Sequence, residues 1–193
     1  VEHKTKILNT TQPRSQTFFH NYFSLKIMFT LSVQNPKILV PLDFSKCSEY
    51  ALEYAKALVK PLHGSLHLIH VIEPPMASIE WGYAFEQEAI ANSQKFAEDS
   101  MQQEAEDLRK QGITAITEII SGTPYYAIAR YAEEQKIDLI IISTHGRRGV
   151  ERLLMGSTTE RVLRMSHCPV LSVHPPREYL EANRSKTFSE AQG

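Results

Sequence analysis

The sequence predicts an α/β fold, a doubly wound five-stranded parallel sheet with helices on both faces. Three observations predict it. Five short apolar runs alternate with four stretches of helical periodicity, in the order β-α-β-α-β-α-β-α-β. Strands that alternate with helices form parallel sheets joined by crossover connections. The fourth run, 137–142, is apolar on both faces, as a central parallel strand must be. A length of 193 residues with 42% hydrophobic content suits one domain with a real core, plus flanking segments.

The elements follow in order. Run 37–42 is long enough for a buried strand. Ser45 is placed to cap the next helix. Ala51, Tyr54, Ala55, Leu58 and Val59 recur at helical spacing and predict a helix over 46–60, broken by His63-Gly64. The β-forming run 65–72 is the second strand, closed by Pro74-Pro75. An irregular loop is expected over 73–85. A long helix is expected over 86–110, with Ile90, Ala97, Met101, Ala105 and Leu108 on its buried face. Gln111-Gly112 ends that helix, and 113–120 is a half-alternating third strand. Thr123 as N-cap with Pro124 at the first helical position starts the third helix, whose stripe is Tyr125, Ile128, Ala129 and Ala132. The loop 143–155 carries Gly146, Gly149 and three arginines. A helix over 157–165 and a last strand over 169–173 complete the pattern, with Pro tolerated at the strand's first position.

These elements divide the chain into an N-terminal extension (1–35), a folded domain (36–175) and a polar tail (176–193). Met28 is read as the natural start, which makes 1–27 an upstream extension. The formal net charge is −1. The folded part is mildly acidic, which argues against a nucleic-acid-binding body. Cys47 and Cys168 form no C-x-x-C and no metal spacing, so they read as ordinary reduced thiols of a cytoplasmic protein. No run reaches the length of a membrane span, and the leader lacks the apolar stretch and cleavage site of a signal peptide.

Ligands of such sheets bind beyond the carboxyl ends of the strands, at the switch point. The segment that leaves the central strand reads Ser143-Thr-His-Gly146-Arg-Arg-Gly149-Val-Glu-Arg-Leu-Leu-Met-Gly156-Ser157-Thr158-Thr159 and ends at a helix start. Free N–H groups and the positive end of a helix dipole suit an anion there, and Ser157 and Thr158 add hydroxyl donors. A second reading stands beside it. Ser157 with Glu160 fits a capping box that merely satisfies the helix end, and Gly146 and Gly149 fit plain turns. The segment is neither a P-loop nor a G-x-G-x-x-G fingerprint.

The chain from about residue 36 to 175 resembles the universal stress protein family. The resemblance rests on Ile38-Leu-Val-Pro-Leu-Asp-Phe-Ser45, His70-Val71, Gly122-Thr-Pro124, Asp138-Leu-Ile-Ile-Ile-Ser-Thr-His-Gly-Arg-Arg-Gly149, Leu154-Met-Gly-Ser157 and Cys168-Pro-Val-Leu-Ser-Val173. It implies a Rossmann-like nucleotide-binding domain and a homodimer. In one branch of the family it implies ATP, with or without Mg2+, held by a G-x-x-G-x9-G-S/T motif. By position the second and third glycines of that motif are Gly146 and Gly156, with Ser157 next; the first is replaced by Ser143.

The resemblance also gives the other site residues their roles. Asp43 accepts hydrogen bonds from an adenosine, or is simply an acid at a helix start. Pro41 and Leu42 flank the base, and Val71 is its apolar contact or plain core. Ile142 and Gly149 are further binding positions, His145 lies near the phosphate oxygens, and Arg147, Arg148 and Arg152 neutralise a triphosphate or are simply solvated. No nucleophile or carboxylate partners His145 in the sequence, so it reads as a phosphate-side residue rather than a catalytic one. His63, His67 and His70 do not suggest a metal, because His67 and His70 would point to opposite faces of a strand.

The expected function is a cytoplasmic, dimeric, ATP-binding regulatory protein of the stress response, with slow hydrolysis at most. The dimer would form through the last strand, Val170–Val173. The alternatives are a nucleotide-independent interaction module of the same family and a slow ATPase.

Overall fold

The computed structural model describes residues 34–73, 83–144, 155–176 and Tyr179; of residues 83–89 it describes the backbone. Five strands form one sheet: β1 (Lys37–Pro41), β2 (Ser65–Ile72), β3 (Thr114–Ser121), β4 (Leu139–Ser143) and β5 (Val170–Val173). Four helices alternate with them: α1 (Lys46–Leu62), α2 (Tyr83–Lys110), α3 (Pro124–Glu134) and α4 (Ser157–Met165). The strand order is β3-β2-β1-β4-β5, and each neighbouring pair is parallel. The chain winds outward from β1 to β3, crosses back to place β4 beside β1, and winds outward again to β5. The reversal between β1 and β4 is the switch point where such sheets bind ligands.

Strand alternation divides the core in two. Ile38, Val40, Leu66, Leu68, Leu139 and Ile141 face α1 and α2. Leu39, Ile69, Ile140 and Ile142 face α3 and α4, meeting Ile128, Tyr131, Ala132 and Val162. All five residues of β4 are buried, which its two-sided apolar sequence predicts. Truncating Ile140, fully buried, to Ala would cost about 2–5 kcal/mol.

Local chemistry explains most boundaries. Ser45 caps α1: its backbone is extended, and its side-chain oxygen accepts the Ser48 N–H at 3.2 Å. Such a cap contributes about 1 kcal/mol. The helix runs to Leu62, two residues past the expected end, and carries Pro61 in its last turn. His63, not Gly64, takes the left-handed position (φ 53°). Gly64 is required for another reason, since a Cβ there would lie 2.3 Å from the Pro36 carbonyl oxygen.

Three expectations need correction. Tyr83 to Phe85, assigned to a loop, belong to α2, because 83–86 contains neither Gly nor Pro to delay the helix; 74–82 lie outside the described residues. Ile90, placed on the buried stripe of α2, is 44% exposed, whereas Ala97, Met101 and Leu108 are buried. A 28-residue helix spans about 42 Å, far more than the longest strand, so its first half outruns the sheet. Thr123 occupies the N-cap of α3, but its hydroxyl makes no capping bond.

β5 lies at one edge of the sheet and β3 at the other. Among the described residues no helix is long and apolar enough to cross a membrane.

Candidate functional site

The carboxyl ends of β1 and β4 face the switch point with two differently built walls. The β1 wall is a tight turn. β1 ends at Pro41, and its ladder with β4 runs only through Ile38–Leu139 and Leu39–Ile140, so the two strands separate before either ends. Pro41 has no N–H to continue such a ladder. The Leu42 N–H donates instead to the Ile69 carbonyl at 2.8 Å, which keeps the turn on β2. Oδ1 of Asp43 accepts two hydrogen bonds, from the Ser45 N–H at 3.1 Å and the Ser45 hydroxyl at 2.6 Å. The aspartate is thereby fixed at the mouth of the switch point, beside the N-terminus of α1. Cys47 lies close by, and burial first and Asp43 second push its thiol pKa up. That favours the thiol over the thiolate, the nucleophilic form.

The β4 wall is a helix end. The Ser143 carbonyl accepts the Thr159 hydroxyl at 2.8 Å, and the Thr144 carbonyl accepts the Gly156 N–H at 2.7 Å. The chain therefore leaves β4 at Thr144 and is fastened back to it at Gly156. The Thr144 N–H donates to the Val173 carbonyl at 2.9 Å, and its hydroxyl lies 2.9 Å from His174 Nδ1. These bonds aim the N-terminus of α4 at the open end of the sheet. The N–H groups of its first turn have no partners within the helix.

The capping box that stood as the second reading of this helix start is not formed by Ser157 and Glu160. Gly156 is the N-cap (φ −70°, ψ 147°), its carbonyl accepts the Glu160 N–H at 3.0 Å, and it has no side chain with which to cap the helix. Ser157 is one position too late to cap and is exposed. Glu160 bonds Arg164 at 2.8 Å on the solvent side. A glycine N-cap has no side chain of its own to cover the first-turn amides, and Ser157 and Thr158 are the first two residues of the helix.

Ser143, the departure from the glycine motif, is the buried last residue of β4. It is not among the non-glycine residues with positive φ, so serine occupies this position without backbone strain.

The structure thus gathers Pro41, Leu42, Asp43, Ile142, Ser143, Gly156, Ser157 and Thr158 around one switch point. Val71 lies near the end of the neighbouring β2, half-buried against the α3-side core. His145, Gly146, Arg148 and Gly149, together with Arg147 and Arg152, lie outside the described residues.

The three histidines go to three places. His63 ends α1 and is exposed. His67 is buried beneath α3, with Nδ1 2.9 Å from the Tyr131 hydroxyl; burial, with a smaller contribution from Lys37, pushes its pKa down. His70 turns toward the β1 wall, 2.7 Å from the Leu42 carbonyl. Among the described residues no group of three or more His, Cys, Asp or Glu is placed to hold a metal ion.

Thr144, Thr159 and His70 shape the site without having been assigned a role from sequence. Thr159 and Val162 are the buried pair on α4, so helical spacing was the available signal for Thr159. Nothing local marked Thr144 or His70, whose partners are thirty and twenty-eight residues away.

A family model, the universal stress protein family, matches residues 34–174. The chain belongs to the universal stress protein family. The universal stress protein MJ0531 of Methanocaldococcus jannaschii is 33% identical over 153 residues, covering 74% of this chain and 84% of that protein. The solved structure of MJ0577, from the same organism, superposes with a TM-score of 0.66 at 33% identity, covering 75% of this chain and 99% of the other. UspA from Lactobacillus plantarum gives 0.68 at 25% identity, covering 74% and 99%. Two more distant structures share the fold: a universal stress protein in complex with cAMP (TM-score 0.55, 22% identity) and one from Arabidopsis thaliana with AMP bound (0.52, 17%).

Proposed function

We propose that this protein binds ATP across the β1–β4 switch point and uses it as a regulatory ligand. The observation that carries the reading is the glycine-capped N-terminus of α4, fastened at the carboxyl end of β4, where the capping residue brings no side chain of its own over the first-turn amides. Such a helix end suits an anion, which supports the reading. The turn at Asp43, across the switch point, supplies a fixed carboxylate that can accept from ribose or adenine donors. Pro41, Leu42 and Val71 are the apolar surface nearest to it. Family members seen with cAMP and AMP support an adenine nucleotide as the occupant. Mg2+, if it accompanies ATP, is carried on the phosphates, since the described residues offer no side-chain cage.

On this reading binding free energy serves to favour one state of the protein rather than to make product. The reading places the protein in the cytoplasm as a homodimer paired through β5. That strand is short, half-buried and at the sheet edge, where an exposed backbone invites pairing. Light scattering at micromolar concentration is expected to give twice the chain mass.

The direct test is to denature gently purified protein and identify what it releases. The expected result is adenine nucleotide in amounts approaching one per chain. Release of no nucleotide favours the second reading, an interaction module indifferent to ATP.

A further inference from the structure

We infer that His70 is a positioning residue for the nucleotide site, acting on Asp43 through the backbone on either side of it. The inference rests on the nucleotide reading above. Leu42 precedes Asp43, and both polar groups of its backbone are held by β2. Its N–H donates to the Ile69 carbonyl at 2.8 Å, and its carbonyl accepts from His70 at 2.7 Å. A carbonyl only accepts, so Nδ1 of His70 carries the hydrogen. Phe44 follows Asp43, and its ring stacks on the same His70 imidazole, with centroids 4.6 Å apart and planes 29° apart. Phe96 from α2 closes the far side of Phe44 edge-on at 5.5 Å. One imidazole therefore grips the residues immediately before and after the aspartate.

The grip has a strained conformation to hold. Phe44 sits at φ 59°, a left-handed backbone that strains a bulky residue. Such a residue persists only where its surroundings over-determine it. The turn needs this geometry, because the left-handed step carries the chain from β1 into α1 while leaving Asp43 at the mouth of the switch point. His70 supplies a hydrogen bond to one side of the turn and a stacking surface to the other. It touches no ligand in this account; it sets where Asp43 stands.

The two contacts separate by substitution. His70→Asn keeps a donor near the Nδ1 position and loses the ring. His70→Phe keeps the ring and loses the donor. His70→Ala loses both. The experiment is calorimetric titration of the four full-length proteins with ATP, with thermal midpoints of the ligand-free proteins measured alongside. His70→Ala is expected to weaken ATP binding about tenfold, with Asn and Phe each recovering about threefold, in proportion to one neutral hydrogen bond and one ring stack. The partial rescues hold even where the three variants share one thermal midpoint, which a purely structural role would not produce. ATP affinity of His70→Ala within twofold of wild type overturns the inference while leaving the nucleotide reading intact. Folded Asn and Phe variants that bind no better than Ala also overturn it. A wild-type protein that binds no ATP overturns the nucleotide reading, and this inference with it.

Discussion

The two walls of the switch point are built on opposite principles. The β1 wall is made by side chains: Asp43 accepts from the Ser45 N–H and hydroxyl, His70 bonds the Leu42 carbonyl, and Phe44, in a strained conformation, packs its ring against His70 and Phe96. The β4 wall is made largely by backbone: Gly156 contributes no side chain, its N–H donates to the Thr144 carbonyl, and the Thr159 hydroxyl ties the helix to the Ser143 carbonyl. Backbone amides recognise charge and are tolerant of what carries it. A fixed carboxylate recognises particular donors. On the proposed reading, α4 takes the phosphates and the β1 turn takes the nucleoside.

The largest effect should come from closing the backbone wall. Gly156→Val puts a β-branched side chain at the N-cap and is expected to lower ATP affinity by about a hundredfold or more, measured by calorimetry. It also makes a poor cap, so the ligand-free protein should lose about 1 kcal/mol by denaturant titration. Asp43→Ala removes the acceptor of the other wall and should weaken ATP about tenfold, with a smaller loss for inorganic triphosphate. Equal losses for both ligands would break the division of labour. Thr159→Val leaves the buried Ser143 carbonyl without its hydroxyl donor and should cost about 1–2 kcal/mol of stability.

A pH effect separates the site from the body beneath it. His67 is buried neutral, with its folded pKa below the ordinary value of 6.5. As pH falls below 6.5 the unfolded chain takes up a proton there that the folded chain refuses, so stability falls with pH and is fully present above that value. Denaturant titrations at pH 7.5 and 5.5 should show a smaller difference for His67→Gln than for wild type. The smallest effect belongs to Glu160→Ala. With Gly156 as the cap and Glu160 in an exposed pair with Arg164, the loss should stay within about 0.5 kcal/mol. A loss above 1 kcal/mol would restore the capping box.

Most of the fold was legible because its signals are local and redundant. The two-sided apolar run of β4, the Ser45 cap and the spacing of Ala51, Ala55, Leu58 and Val59 each point to one structure. What failed depended on position relative to something distant. Ile90 has the right spacing, but the sheet does not reach it. Ser157 and Gly156 are adjacent and both acceptable caps, and the bond from Gly156 to Thr144 decides between them. The β1 turn was legible as a site, while the role of His70 in it was not, since only the pairing of β1 with β2 brings His70 to Leu42.

The central claim is that one adenine nucleotide spans the two walls. Isothermal titration of the wild-type protein with ATP tests it most directly. The account predicts saturable binding of about one ATP per chain, lost in Gly156→Val. Absence of saturable binding into the millimolar range would contradict it.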